Sequence, residues 1–387
     1  MEEQLQATRG TQEPSRPGSA TDVVKVWERA YRQWGWQQFA PFNKQGDFQQ
    51  PYVLFKAKNI VDPQVRKEKG VKKIRPIAPS TRHPMRKLLG LVGRAWSFIA
   101  AHLEGEHFAV NHSGVVPAFL AAANETLSHL GELRHVIKDI DGCYPNMPKD
   151  EIRTSMREVT EQQQTSHGRT GVWVPCNRKK HPTWQAPRGG KGGKWLPFEV
   201  MLRVMEFSLD NAITKVGDQL LWQVMGIPMG DPISPGMTII TCARMEQRWT
   251  ATLAAEKTLF RAARFMDDIL LVYAAHAGWD HGELVRKFTA SECYSAPLTL
   301  VDAKEDTFLE TTFAVQDNRF RHWLKNDNTA ERPHSIWRYQ HFASATPFQQ
   351  KRAVIMACMQ KVQRMASDKK AIYDSAVQKM AEFARLE

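Results

Sequence analysis

Two adjacent acids, Asp267 and Asp268, stand between apolar runs, with Phe265-Met266 before them and Ile269-Leu270-Leu271-Val272-Tyr273 after them. Neighbouring carboxylates in an apolar setting repel each other, and burial raises the cost of keeping both charged. A divalent cation removes that cost. Hard oxygen donors suit Mg²⁺, which keeps waters or substrate phosphates in its remaining positions. A third acid, Asp139, comes near the end of another apolar segment, Leu133-Arg-His-Val-Ile-Lys-Asp-Ile140. If that segment lies beside the Asp267-Asp268 turn, the three acids hold two ions about 3.5–4 Å apart, the arrangement used for in-line phosphoryl transfer. An ordinary surface turn would also use Asp-Asp, since aspartate is a common turn residue, but the apolar flanks make a surface turn less natural.

Other residues add to this chemistry. Tyr144 follows Asp139 by five positions, within Asp139-Ile140-Asp141-Gly142-Cys143-Tyr144-Pro145-Asn146-Met147-Pro148. A loop rich in glycine and proline runs from Gly226 to Pro235 and contains Met229, Gly230 and Asp231. Between Pro51 and Ala95 there are twelve Lys/Arg and two acids, and Lys72, Lys73 and the tripeptide Arg75-Pro76-Ile77 lie in this stretch. Arginine offers phosphate oxygens a fork and lysine a point charge. A run this basic is either a phosphate grip or a solvated face. The whole chain of 387 residues carries a formal net charge of +12, which favours a polyanionic partner.

Several elements must position these residues. The segment 133–140 predicts a strand, closed by the turn that Pro148 ends; a helix then follows, with Asp150 and Glu151 near its start and Ile152, Met156 and Val159 on one face. Leu259–Tyr273 predicts two strands around a turn at Asp267-Asp268, and Pro197–Asn211 a helix. Ser234 and Pro235 are suited to the N-cap and first position of a long helix. Residues 21–48, with Trp27, Tyr31, Trp34 and Trp36, predict a short aromatic helix, and residues 1–20 a disordered tail. Residues 160–195 read as an insertion or long loop that either binds nucleic acid or bulges from the fold. Its glycine run is not a P-loop, because Trp195 follows Lys194. The last 40 residues predict helices, with Val354, Cys358, Val362 and Met365 on one face and Ile372, Ala376 and Met380 on another. The helix Gln349–Arg364 also carries Lys351, Arg352, Lys361 and Arg364, a distribution suited to tracking a duplex and equally to a plain amphipathic helix. Five scattered cysteines argue against a disulfide framework and a zinc ribbon, and Cys176 with His181 lacks the second pair a zinc site needs. No stretch approaches the roughly 20 apolar residues of a membrane helix, and Met1–Ala20 has no apolar core of a secretory signal. The expected setting is intracellular and reducing.

Taken in order, Arg75-Pro76-Ile77, Asp139 to Tyr144, Gly226 to Pro235 and Phe265 to Asp268 resemble the motifs of reverse transcriptases, whose signature is an aromatic-x-Asp-Asp box. Within that family the chain looks most like the Penelope-like element and telomerase branch. Three stretches carry that likeness: Asp139-x4-Tyr144-Pro-Asn-Met-Pro148, the run from Glu206-Phe207 through Gln223 into Gly226-x-x-Met229-Gly230-x-Pro232-x-Ser234-Pro235, and Ile336–Arg364 with Tyr339, His341, Ser344, Lys351 and Arg364. The resemblance covers about residues 50–365. It implies that Asp139, Asp267 and Asp268 bind two Mg²⁺ ions, with Mn²⁺ as a substitute. It also implies that Arg75 and either Lys72 or Lys73 grip the triphosphate, and that Met229 and Gly230 meet the incoming nucleotide and template. Tyr144 would lie beneath the nucleotide sugar and leave no room for a 2′-hydroxyl, where RNA-dependent RNA polymerases typically place an aspartate. Lys304 would be either the general acid for pyrophosphate or a surface lysine, and Phe308-Leu309-Glu310 would be a primer-grip turn.

The expected fold class is α+β, a right-hand polymerase with fingers, an antiparallel palm and a helical thumb. Its expected divisions are a tail (1–20), an N-terminal helix and basic fingers (21–132), the first palm strand (133–150), a helix with the basic insertion and a fingers helix (151–225), the palm with its hairpin (226–315) and the thumb (316–387). The expected activity is extension of a DNA or RNA primer with dNTPs on an RNA template. A retroelement source would place the protein in the nucleus of a eukaryotic host. The chain is expected to be a minimal polymerase or a fragment of a longer element, since neither a GIY-YIG endonuclease nor an RNase H domain fits it. The rivals are a viral RNA-dependent RNA polymerase and a catalytically silent polymerase fold that binds RNA.

Overall fold

The computed structural model describes residues 12–14, 19–55, 74–276, 281–289, 293–303, 307–325 and 341–384. In chain order the strands are β1 (Gln12–Pro14), β2 (Tyr52–Phe55), β3 (Ile74–Ile77), β4 (Glu132–Asp141), β5 (Gly171–Pro175), β6 (Gly193–Pro197), β7 (Ile213–Val216), β8 (Gln219–Gln223), β9 (Phe260–Phe265), β10 (Asp268–Ala275), β11 (Thr299–Asp302), β12 (Thr307–Phe308), β13 (Thr311–Gln316) and β14 (Arg319–Leu324). The α-helices are α1 (Ala20–Gln33), α2 (Arg86–Ala100), α3 (Val116–Leu127), α4 (Cys143–Asn146), α5 (Lys149–His167), α6 (Phe198–Asp210), α7 (Ser234–Thr252), α8 (His281–Thr289), α9 (Phe348–Met365) and α10 (Lys369–Ala384).

The central sheet is antiparallel, in the order β11-β4-β10-β9. Strand β10 is apolar without interruption because both of its faces are covered. Ile269, Leu271 and Tyr273 enter a large core with α2, α5, α6 and α7. Leu270, Val272 and Ala274 enter a second core with α3 and the β12-β13-β14 sheet. A two-sided strand of this kind reads as a continuous apolar run rather than an alternation. Ile269 to Val272 are all 0% exposed, and each such side chain contributes about 1.5–3 kcal/mol by leaving water.

Other expectations are met or shifted for local reasons. Ile152, Met156 and Val159 face the core from α5. That helix runs on to His167, and the insertion begins with a hairpin, β5 on β6, whose Val172, Val174 and Leu196 are buried. Only residues 176–192 between them form the loop. The tail reading fails at Gln12–Pro14, which pair with Leu221–Gln223 of β8; main-chain pairing to a strand edge needs no apolar side chains. The aromatic helix ends at Gln33, with Trp27 and Tyr31 buried in it and Trp36 on the following 3₁₀ turn. Cys358, Val362 and Met365 are buried on α9, but Val354 is 45% exposed. On α10 the inward positions are Ala371, Ser375, Lys379 and Glu382, with Ile372 and Ala376 half-buried and Met380 52% exposed. Lys379 and Glu382 are buried as a pair at 2.7 Å, so a charged couple takes the inward place that apolar spacing assigned to Met380. Among the described residues, no helix is long and apolar enough to cross a membrane.

Candidate metal and nucleotide site

The site is built on two opposed strands and the turn that leaves one of them. In the β4–β10 ladder Asp139 stands directly opposite Asp268, and directly opposed residues of an antiparallel pair project from the same face. Asp267 occupies the turn from β9 into β10, where its carbonyl accepts the Ile140 N–H at 2.9 Å. The sequence placed the turn at Asp267-Asp268; it is Met266-Asp267, and Asp268 is already paired with Phe265 as the first residue of β10. Carboxylate oxygens of Asp139, Asp267 and Asp268 lie within 4.8 Å of one another, with Asp268 exposed and the other two half-buried. Three hard oxygen donors on one face, reaching water on one side, fit Mg²⁺. Among the described residues this is the one cluster of such donors that could hold a metal ion.

The turn is strained and clamped. Met266 adopts φ 58°, a left-handed conformation costing a residue with a Cβ about 1–2 kcal/mol. It persists where the surroundings over-determine it. Arg264, 0% exposed, donates from its guanidinium to the Met266 carbonyl at 3.0 Å and to the Ile239 carbonyl at 3.3 Å. Its charge is met by Glu246, also 0% exposed, through a short ion pair. Glu246 in turn accepts the Tyr294 hydroxyl at 2.9 Å and the Phe108 N–H at 2.8 Å. Burial works against the charge on Arg264, but Glu246, with Cys242 and Tyr294, outweighs it and holds the guanidinium pKa well above its usual value. Sequence reading missed this group. Its signal was a charge inside Ala262-Ala263-Arg264-Phe265, since a buried charge requires a partner.

Tyr144 lies on α4, just past β4. The ring is half-buried against the large core and hydrogen-bonded to Thr238 of α7, and burial raises its phenol pKa. The Asp267 charge pushes it in the same direction. The Gly226–Pro235 loop closes on this turn. Ile227 donates to the Tyr144 carbonyl at 2.8 Å. A Cβ on Gly226, at φ 71°, would stand 2.2 Å from the Pro145 carbonyl oxygen, so only glycine fits there. Further along, the Met229 carbonyl accepts the Ala78 N–H at 2.8 Å, which docks the end of β3 on the loop. Met229 is half-buried and Gly230 exposed. Asp231, given no role from the sequence, is buried; it accepts the Ser208 hydroxyl at 3.0 Å and the Ile233 N–H at 2.9 Å, and burial raises its pKa. Ser234 is not the N-cap of α7: Ile233 holds that position, and the Ser234 hydroxyl donates back to the Pro228 carbonyl at 2.9 Å. Pro235 does stand in the first turn of the helix, as expected.

The remaining expected residues fall into three groups. Lys72, Lys73 and Lys304 lie outside the described residues. Arg75 lies on β3, paired in register with Leu54 of β2, and β3 is the strand whose end meets the Met229 carbonyl. On α9, Arg352 and Arg364 are exposed, whereas Lys351 donates to the Ser344 carbonyl at 2.7 Å and Lys361 pairs with Glu310. Phe308 is buried, and Leu309-Glu310 form the tight turn between β12 and β13, with Leu309 at φ 55°.

At the level of sequence, the chain matches no family model and no curated protein. Its fold is similar to that of telomerases. Against the Candida albicans enzyme, in complex with a fragment of telomeric RNA, the TM-score is 0.53 at 12% identity, covering 99% of this chain and 65% of that one. Against the apo telomerase of Candida tropicalis it is 0.52 at 11%, covering 98% and 66%. For the same species with a telomeric RNA fragment it is 0.52 at 10%, covering 94% and 57%. The chain therefore spans less than two thirds of the length of these solved relatives. At these identities the likeness shows a shared fold, that of the telomerase structures.

Proposed function

We infer that the protein is an RNA-dependent DNA polymerase, a reverse transcriptase of the Penelope-like and telomerase branch, from a retroelement. The observation that carries this reading is the gathering of Asp139, Asp267 and Asp268 within 4.8 Å at one end of the two central strands of a two-sided sheet, with Tyr144 on the short helix that follows β4. In this reading the β11-β4-β10-β9 sheet is the palm, residues 21–132 and 151–225 supply the fingers, and residues 316–387 form the thumb. The partners are an RNA template, a DNA or RNA primer, and dNTPs. In a eukaryotic host the site of action is the nucleus.

Asp139, Asp267 and Asp268 would hold two Mg²⁺ ions, which would supply activation of the primer 3′-hydroxyl and charge neutralisation at the triphosphate and leaving pyrophosphate. The chain's own residues do the positioning. The opposed strands fix Asp139 and Asp268, and the clamped turn fixes Asp267, so the charge is pre-arranged before substrate arrives. Arg75, with Lys72 or Lys73, grips the triphosphate. Tyr144 fills the space a 2′-hydroxyl would need, and Met229 and Gly230 border the nucleotide and template. Lys304 protonates the leaving group. Arg352 and Arg364 are the thumb cations exposed for a duplex; Lys351 and Lys361 must exchange an internal partner for a phosphate. The test is primer extension on an RNA template with dNTPs and rNTPs in parallel in Mg²⁺. Extension by dNTPs alone is expected. Equal use of rNTPs would move the protein to the RNA polymerases, and tight binding of primer–template without extension in Mg²⁺ or Mn²⁺ would make it a binding protein.

A further inference from the structure

Three acids are buried among the described residues, and two of them meet a cation: Glu246 pairs with Arg264 and Glu382 with Lys379. The third, Asp231, is 5% exposed and makes no ion pair among the described residues. A buried carboxylate without a cation is costly and stands only where other groups compensate it. Here the compensation comes from the elements around the Gly226–Pro235 loop. Oδ1 of Asp231 accepts the Ile233 N–H at 2.9 Å, and Oδ2 accepts the Ser208 hydroxyl at 3.0 Å. Ile233 is the N-cap of α7 and Ser208 belongs to α6, so one side chain ties the loop to two helices. Its charge also lies near the N-terminus of α7, the positive end of the helix dipole.

Asp231 directly follows Met229 and Gly230, whose backbone is held on its other flank by the segment leaving β3. The Ala78 N–H donates to the Met229 carbonyl at 2.8 Å, and the Ser80 hydroxyl donates to the Gly230 carbonyl at 3.2 Å. Gly230, at φ 118°, approaches this segment so closely that a Cβ would stand 2.7 Å from the Ala78 carbonyl oxygen. The residue after Asp231 is packed as tightly: a Cβ on Gly93 of α2 would lie 2.2 Å from the Pro232 carbonyl oxygen. Backbone at Met229 and Gly230 therefore has little freedom while Asp231 keeps its two bonds.

We propose that Asp231, through Ser208 and Ile233, is a positioning residue for the incoming nucleotide: it fixes the backbone of Met229 and Gly230 and so sets nucleotide affinity rather than the rate of the chemical step. The proposal rests on the polymerase reading and extends it to a side chain that touches no substrate. Asp139, Asp267 and Asp268 stand on other elements, β4, the β9–β10 turn and β10, so disturbing Asp231 leaves their spacing in place. Asparagine can keep both contacts, since its oxygen accepts the Ile233 N–H and its amide donates to Ser208 once that hydroxyl turns. Alanine keeps neither and leaves two buried donors without an acceptor.

The test is steady-state single-nucleotide extension of an RNA-templated primer by the full chain, with kcat and KM for the dNTP measured separately and urea midpoints taken on the same proteins. Asp231→Ala should raise KM at least about tenfold and leave kcat within about threefold, the pattern of lost ground-state binding. Asp231→Asn should restore KM to within about threefold of native. Ser208→Ala, which removes one of the two bonds, should raise KM by a smaller factor and decides the matter if the alanine variant at 231 does not fold. Gly217→Ala, in the turn between β7 and β8 with open space around it, controls for lost stability and should leave KM unchanged. A native KM in Asp231→Ala or in Ser208→Ala overturns the proposal, as does a fall in kcat equal to the fall in kcat/KM, or a Gly217→Ala protein whose KM rises as far. Each of those results requires a native chain that extends primers, and so leaves the polymerase reading standing. A native chain that extends no primer refutes that reading and the proposal with it.

Discussion

Replacing Arg264 by methionine removes a fully buried guanidinium and leaves Glu246 buried with the Tyr294 hydroxyl and the Phe108 N–H as its remaining donors among the described residues. Breaking one side of a buried ion pair costs about 3–5 kcal/mol, because the remaining charge is uncompensated. Glu246→Gln should cost a similar amount from the other side. The double variant has no buried charge, and the Gln oxygen can still accept from Tyr294 or Phe108. It should therefore recover about 2 kcal/mol relative to the sum of the two single changes, within the range of coupling for residues in contact. Catalysis should not recover with it. The Met266 carbonyl has lost its charged donor, an interaction of about 1.5–3 kcal/mol, comparable to the about 1–2 kcal/mol of strain in that left-handed residue. The turn is then free to relax and Asp267 to move, and a misplacement of about 1 Å costs on the order of a hundredfold in rate. The assay pairs urea denaturation with single-turnover primer extension on the same four proteins. A double variant that extends primers at the native rate would refute the clamp, as would an Arg264→Met protein within about 1 kcal/mol of native stability.

Three further outcomes follow from the geometry. Burial lowers the His83 imidazole to about 4, and its Nδ1 accepts the Met85 N–H at 3.1 Å, which only the neutral ring can do. The native state thus binds fewer protons than the unfolded chain, and stability is lost as pH falls below about 6.5 toward 4. About 2 kcal/mol should disappear between pH 7.5 and pH 5, and a His83→Gln protein with the same pH slope in urea midpoints would contradict this. Gly226→Ala meets both a left-handed φ and the Pro145 carbonyl, whereas Gly217→Ala meets only a φ of 59° with open space around it. The first should cost several kcal/mol and the second about 1–2; equal midpoints would mean that the close approach does not hold. Tyr144→Ala should leave dNTP extension measurable and raise rNTP incorporation; unchanged sugar discrimination would remove the gate role from this ring.

The acids were legible because two-sided burial writes an apolar run on either side of them, and a carboxylate pair in such a run needs a reason. The partnership of Asp139 with Asp268 was less so, since strand register across a separation of this length is set by tertiary packing. Arg264 and Glu246 belong to a strand and a helix eighteen residues apart, so no spacing rule links them. Asp231 reads as one more polar loop residue until Ser208 is seen above it. Helix positions α9 and α10 share with Lys351 and Lys361 a common limit: sequence shows which residues carry charge, but not that Ser344 and Glu310 already engage it. The Gln12–Pro14 pairing is made by main chain alone and leaves no side-chain pattern to read.

The central claim is that three carboxylates at one end of the two central strands carry a nucleotidyl transfer. The most direct measurement is single-turnover extension of an RNA-templated primer with dNTPs in Mg²⁺ by the native chain and by Asp139→Asn, Asp267→Asn and Asp268→Asn, with primer–template affinity measured alongside. The account predicts extension by the native chain, losses of about a thousandfold or more in each variant, and affinities that stay near native. Native-rate extension by any one of the three variants would contradict it.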